Sequence, residues 1–220
     1  MSTTLYSYWR STAAYRVRLA LNLKGIAYDT VTVSLLPGAA EHREDDYRSR
    51  NPQMLVPYLE TGHDDGEFGV GQSQAILEYL EESSPATPLL PDTAKQRAAV
   101  RSFCNSICCD IHPLNNLRVL MYLKEELGVS DEQRDAWYAN WIHEGFRAAE
   151  IVASKHADSG PFVFGDSVTL ADCCLIPQIY NARRFNVALD TYPRLLEIDA
   201  HCNALDEFAS AVPERQPDAT

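Results

Sequence analysis

Hydrophobic and polar positions change rhythm twice along this chain, and the first eighty residues alternate short strand and helix patterns. "TLYSY" (residues 4–8) alternates as a strand does. Val17, Ala20, Leu21 and Lys24 then recur at helical spacing, which predicts a helix from about Thr12 to Lys24 with Gly25 as its stop. "AYDTVTV" (residues 27–33) predicts a second strand and "AAEHREDDYRSR" (residues 39–50) a short polar helix, so the order is βαβ. "LVPYLE" (residues 55–60) carries Pro57 inside a strand pattern, which makes it an edge strand or marks a special backbone such as a cis peptide at Val56–Pro57. "HDDG" (residues 63–66) lies between apolar stretches and predicts a hairpin turn, since its surroundings match neither dinucleotide nor P-loop glycine spacing. From Ser73 an amphipathic helix follows, with Ile76, Leu77 and Leu80 on one face.

The second change comes at "SSPATPLLPDT" (residues 83–93), whose prolines cannot continue a helix. The expected division is an α/β domain over residues 1–84, a linker at 85–92 and an all-helical domain over 93–220. Helical patterns resume at Ala94 and break at "LGVSDEQ", at "DSGPFVFGDSV" and before "TYPRL". Thr169 and Asp172 have the spacing of a capping box, with Val168 placed to staple against Cys173.

Composition narrows the partners. The formal charge of −12, from 31 acidic and 19 basic residues, opposes nucleic-acid or anionic-membrane binding by general electrostatics, so an anionic ligand must meet a local basic patch. No stretch approaches the roughly 20 apolar residues of a membrane span, and the N-terminus lacks a basic segment followed by an apolar one, so a cytoplasmic protein is expected. All six cysteines lie between Cys104 and Cys202. Their adjacent pairs in helical patterns suit small buried apolar roles better than redox chemistry. Cys108, Cys109, Asp110 and His112 supply at most half of a metal site, so no metal is expected.

Candidate chemistry gathers where the first strand meets the first helix. Arg10, Ser11 and Thr12 stand at a predicted helix N-terminus, where unpaired N–H groups and the helix dipole favour an anion. A hydroxyl there either caps the helix or reaches toward that anion. Gln72 and Ser73 open the next helix and admit the same two readings. His112, Asn116 and Arg118 form a third polar group on the first long helix of the second domain, where paired asparagines predict a kink or a ligand contact, with satisfied buried side chains as the alternative.

The blocks "YWRSTAAYRVRLALNLKGIAY", "NPQMLVPYLE", "GQSQAILEYLEE", "DIHPLNNLRVL", "TLADCCLIPQIYNARRFNV" and "PERQPDA" run over nearly the whole chain and resemble the glutathione transferases. Within them the first block is similar to the zeta-class signature Arg-Ser-Ser-Cys-x-x-Arg-Val-Arg, the class of the maleylacetoacetate and maleylpyruvate isomerases. The resemblance implies a thioredoxin-like βαβ–ββα N-terminal domain and an all-helical C-terminal domain, a glutathione cofactor, a small anionic keto-acid substrate and a homodimer. It implies that Ser11 donates to the glutathione sulfur with Thr12 beside it. It assigns Gln53, Val56, Gln72, Ser73, His112 and Asn116 to glutathione, and Arg10, Arg184 and Arg118 to substrate carboxylates. Arg10 and Arg184 would then face one cleft, with Arg183 left on the surface. Here the signature cysteine is Ala13 and its second serine is Thr12, which alters the surroundings of the first hydroxyl without removing it. The same thiolate chemistry would serve a transferase acting on small haloacids, and the fold can also persist as a binding module without turnover.

Overall fold

A computed structural model describes residues 2–36, 38–63 and 66–220. The chain packs as two compact units, one formed by Met1–Pro88 with Leu205–Thr220 and the other by Leu89–Ala204.

In the first unit, β1 (Ser2–Ser7), β2 (Asp29–Thr32), β3 (Tyr58–His63) and β4 (Gly66–Gly71) form a sheet of order β2-β1-β3-β4. β1 runs parallel to β2, with Thr4 opposite Asp29, and antiparallel to β3, with Leu5 opposite Leu59. The parallel pair needs a crossover, and α1 (Thr12–Leu23) supplies it. α1 stops as its sequence predicts: Gly25 has φ of +64°, its N–H donates to Asn22 O, and the Ile26 N–H donates to Leu21 O. α2 (Asp45–Arg50) follows a single 3-10 turn. β3 and β4 pair as the expected hairpin up to His63 and Gly66, while Asp64 and Asp65 lie outside the described residues.

Pro57 corrects one alternative. β3 is an internal strand, not an edge, and Pro57 stands just before it, so its missing N–H takes nothing from the ladder. The Val56–Pro57 peptide is cis. β2 is also shorter than residues 27–33: its register with β1 runs from Asp29 to Thr32, and the Val33 N–H adds one bond to Ser7 O.

α3 (Ser73–Ser83) packs on α1, and Leu5, Leu19, Leu59, Ile76 and Leu77 are excluded from solvent between sheet and helices. Fully burying each such side chain contributes about 2–3 kcal/mol. Lys24, placed by its spacing on the apolar side of α1, ends in a buried ion pair with Glu81 of α3 at 2.8 Å. Its Nζ also donates to Ser84 O and Thr87 O.

The chain end departs from the expected 93–220 grouping. α9 (Asp206–Ala211) packs against α1, because Arg18 and Asn22 on that helix carry donors that α9 satisfies. Arg18 Nε donates to Ala211 O at 3.0 Å, and Asn22 Nδ2 donates to Glu207 O and Ser210 Oγ.

The second unit is helical: α4 (Ala94–Cys108), α5 (Leu117–Glu125), α6 (Asp131–Ser154), α7 (Leu170–Arg184) and α8 (Pro193–Cys202). α7 is buried along most of its length and contacts α4 and α8. Its capping box forms as its spacing predicts. Asp172 accepts from the Thr169 N–H at 2.8 Å, the Thr169 hydroxyl at 3.1 Å and the Val163 N–H at 3.0 Å. Cys104, Cys173, Cys174 and Cys202 are buried as expected, Cys108 is half-buried, and Cys109 departs from that reading by being exposed. Cys108 and Cys174 bring their sulfurs to 3.8 Å.

Candidate functional site

The first unit presents two helix N-termini that share a buried connection. After β1 the chain turns through Tyr8, Trp9 and Arg10, and the Ser11 N–H closes the turn on Tyr8 O at 2.8 Å. Ser11 has φ of −67° and ψ of 113°, outside the helix, and its Oγ accepts from the Ala14 N–H at 3.2 Å. This is a capped terminus. A hydroxyl that accepts at a lone pair still has its own hydrogen to donate, and Ser11 is only half-buried. Thr12 opens α1 and is buried. Arg10 is exposed, with its guanidinium 4.1 Å from the Trp9 ring centre.

Two residues not singled out from sequence hold this turn. Arg18 donates to Trp9 O at 3.1 Å and to Ser7 Oγ at 3.3 Å, and Asp218 accepts from the Trp9 N–H at 3.0 Å. Val56 packs in one apolar cluster with Tyr8, Trp9, Val33 and Tyr47, so the loop ahead of Pro57 reaches the same turn. Tyr47 Oη and Asn51 Nδ2 both donate to Leu55 O and fix that loop.

At the other terminus Gln72 caps α3 with φ of +69°, a backbone state that costs a non-glycine residue on the order of 1–3 kcal/mol. Its Nε2 donates to Gln53 Oε1 at 2.6 Å, which brings together two of the expected residues. Ser73 is buried and accepts from Arg16 Nη1 at 3.2 Å. Arg16 is 1% exposed, and its Nε and Nη2 have no hydrogen-bond partner among the described residues. A visible signal for both buried arginines was their place in "AAYRVRLAL", where charge interrupts an apolar helix.

In the second unit, α4 ends at Cys108, so His112, Asn116 and Arg118 are not on one long helix. Asn116 is the N-cap of α5, its Oδ1 accepting from the Arg118 N–H at 3.1 Å. Asn115 is buried and donates to Tyr138 O at 3.2 Å, and Trp137 Nε1 donates to Leu114 O. The paired asparagines lie at a break between helices, which Asn116 marks by capping α5 while Asn115 ties the turn to α6. His112 is half-buried in this turn and Arg118 is exposed. Arg184 lies exposed at the end of α7, its guanidinium 5.0 Å from the Phe185 ring, and Phe185 stacks on Tyr138 at 3.8 Å. Burial pushes the Tyr138 phenol up, against the pull of the Arg184 charge. Arg183 lies on the surface as expected, and from there it pairs with the buried carboxylate of Asp199 at 2.5 Å.

Among the described residues no three His, Cys, Asp or Glu side chains converge as metal ligands would. The first unit can offer an anion two sets of helix N-terminal N–H groups, two serine hydroxyls and nearby guanidinium charge.

Two family models match the chain, the glutathione S-transferase N-terminal domain over residues 10–83 and the C-terminal domain over residues 135–198. A probable maleylacetoacetate isomerase of Vibrio cholerae is 45% identical over 219 residues, covering 100% of this chain and 99% of its own. A maleylpyruvate isomerase of a Ralstonia species is also 45% identical, covering 98% of this chain and 99% of its own. Among solved structures, the holo form of a maleylpyruvate isomerase described as a bacterial zeta-class glutathione S-transferase is 44% identical, with a TM-score of 0.93 over 99% of this chain and 100% of that one. The maleylacetoacetate isomerase of Anaeromyxobacter dehalogenans, solved with glutathione in its active site, is 42% identical with a TM-score of 0.89 over 100% and 98% of the two chains. With matching models in both halves and full-length relatives at this identity, the chain belongs to the glutathione S-transferase family, in its zeta class.

Proposed function

We propose that this protein is a glutathione-dependent cis–trans isomerase of maleylacetoacetate or maleylpyruvate, in the breakdown of aromatic compounds. The observation that carries the reading is the capped turn in which Ser11, with a hydroxyl hydrogen still to donate, stands beside the exposed Arg10 at the N-terminus of α1. The full-length relatives that bear these two names support it.

The residues fit glutathione. Its thiolate suits the N-terminus of α1 and its γ-glutamyl carboxylate that of α3, where Arg16 leaves buried donors unmatched among the described residues beside Ser73. Glutathione, when bound, supplies a thiolate that adds to the substrate double bond, lets the resulting single bond rotate, and leaves by elimination. Ser11 donates a hydrogen bond to that sulfur, and with the α1 dipole holds its proton off at neutral pH. Thr12 supports the terminus from its buried position. Val56 offers backbone to the cysteinyl part. Gln53, Gln72 and Ser73 hold the γ-glutamyl end, and His112 and Asn116 serve the cofactor. Arg10 and Arg184 bind substrate carboxylates, where a planar guanidinium matches two oxygens, and stabilise enolate charge as it develops. Arg118 adds a cation for maleylpyruvate, whose two carboxylates are separated by one carbon fewer.

We take the working form to be a homodimer in the cytoplasm. No helix among the described residues is long and apolar enough to cross a membrane. The net charge of −12 leaves nucleic acid an unfavourable partner.

The test follows ultraviolet absorbance of maleylpyruvate and maleylacetoacetate, each with and without glutathione, on the wild type and Arg118→Ala. Glutathione-dependent turnover of either keto acid is expected, with a selective loss of maleylpyruvate rate in the variant if Arg118 is its clamp. A protein that binds glutathione but turns over neither acid refutes the reading and leaves a haloacid transferase or a binding module.

A further inference from the structure

α1 carries two buried arginines two residues apart, and the fold treats them in opposite ways. Arg18 is satisfied: Nε donates to Ala211 O, Nη1 to Ser7 Oγ and Nη2 to Trp9 O. Arg16 is equally inaccessible, yet among the described residues only Nη1 has a partner, the Ser73 hydroxyl at 3.2 Å, while Nε and Nη2 have none. Among the described residues no carboxylate pairs with it. A buried guanidinium without a counter-charge costs several kcal/mol, and a helix position facing the core is easily filled by leucine or methionine. Stability therefore does not explain Arg16.

We propose that Arg16 is a positioning residue for the γ-glutamyl carboxylate of glutathione, acting through the Ser73 hydroxyl. The inference rests on the reading above that Ser73 meets that carboxylate. Because Ser73 Oγ accepts from Arg16, the serine hydrogen is turned away from the guanidinium and stands ready to donate. Ser73 is also the first residue of α3, so the helix N–H groups and dipole add to the same positive field. In a chain of charge −12 such a field has to be local, and Arg16 supplies it from inside, where solvent does not screen it. The carboxylate is thus the counter-charge that the folded chain omits. Arg16 itself, at 1% exposure, does not touch the ligand.

Calorimetric titration of the full chain with two ligands tests this without reference to turnover. One is glutathione, and the other is 4-aminobutanoyl-cysteinylglycine, which lacks only the γ-glutamyl α-carboxylate. Arg16→Met and Ser73→Ala are each expected to weaken glutathione about tenfold or more, the loss of a hydrogen bond to a charged group. Both should leave the decarboxylated analogue within about twofold, the resolution of such a comparison. Thermal melts of the unliganded Arg16→Met protein should show no loss of Tm. Arg16→Gln keeps a donor toward Ser73, removes the charge, and decides the matter if the methionine variant does not fold. Equal weakening of both ligands in the Arg16 variants would mean a structural role and overturn the proposal, as would no weakening at all. If Ser73→Ala loses glutathione while the Arg16 variants keep it, Arg16 alone is excluded. If Ser73→Ala leaves glutathione unaffected, the Ser73 reading fails and Arg16 falls with it.

Discussion

Arg18→Met should destabilise the protein where Arg16→Met does not, and the reason lies in what each guanidinium leaves behind. Methionine keeps most of the apolar stem but removes three donors, to Ala211 O at 3.0 Å, Ser7 Oγ at 3.3 Å and Trp9 O at 3.1 Å. The Ser7 hydroxyl can rotate to another partner, so two carbonyls carry the loss. Each buried acceptor without a donor costs about 1–3 kcal/mol. Part of that is offset because a charge no longer has to be kept out of water. A net loss of about 3 kcal/mol follows, which for a chain of this size lowers Tm by roughly 6–12 °C. Thermal unfolding followed by circular dichroism measures it, and glutathione titration of the same samples reads the site. Since Arg18 holds Trp9 O, one residue before Arg10 and two before Ser11, glutathione affinity should fall with Tm. Arg18→Lys should recover only part of either loss, because one ammonium cannot reach three acceptors in the same geometry. A melt within 2 °C of wild type (roughly 0.5–1 kcal/mol at this size) with glutathione affinity unchanged would refute the idea that Arg18 secures the Ser7–Ser11 segment.

Asp218→Ala removes one charged hydrogen bond, to the Trp9 N–H at 3.0 Å, and should cost about 1–2 kcal/mol with a smaller fall in glutathione affinity than Arg18→Met; melts and calorimetry on both proteins check the order. Burial pushes the Asp172 carboxyl from 3.8 up to about 6, against the hydrogen bonds from Val163 and Thr169 that favour the charge. In that interval the folded chain keeps a proton that the unfolded chain has lost. Its stabilising contribution is therefore full below about pH 4, falls as pH rises to about 6 and stays lost above, by about 3 kcal/mol in all. Urea melts from pH 4 to 7 should show this fall in the wild type and a flatter profile in Asp172→Asn. The role proposed for Arg184, a charge-assisted bond to a substrate carboxylate, predicts that Arg184→Ala lowers kcat/KM for the keto acid by about 10- to 100-fold while glutathione binding by calorimetry stays within twofold.

Most of the fold was readable because its punctuation is local. Gly25 ends α1 with bonds spanning a few residues, and the Thr169 and Asp172 box opens α7 within a single turn. Ser11 at the N-cap of α1, and Gln72 and Ser73 at the start of α3, were readable as helix-opening positions for the same reason, since they sit beside the helices they open. Asn116 shows the limit of periodicity. An asparagine in a helical pattern reads the same whether it lies inside one helix or caps the next, and only the bond from the Arg118 N–H separates the two.

What stayed hidden depends on partners far away in the chain. Arg16 and Arg18 occupy neighbouring places in one motif, and nothing local says which will be satisfied. Arg16 finds Ser73 at a separation of 57 residues, and Arg18 finds Ala211 at a separation of 193. The tail escaped the expected division for the same reason: residues 205–220 follow the helical unit in sequence, but the donors on α1 and the Trp9 N–H draw them back to the first. The turn that carries Arg10 and Ser11 is consequently held by groups from the two ends of the chain. Arg16 and Arg18 act within the turn and the two helix N-termini although their side chains are buried, and Asp218 reaches the same turn from the far end of the sequence, so variants at these three positions bear on the site as directly as variants within it.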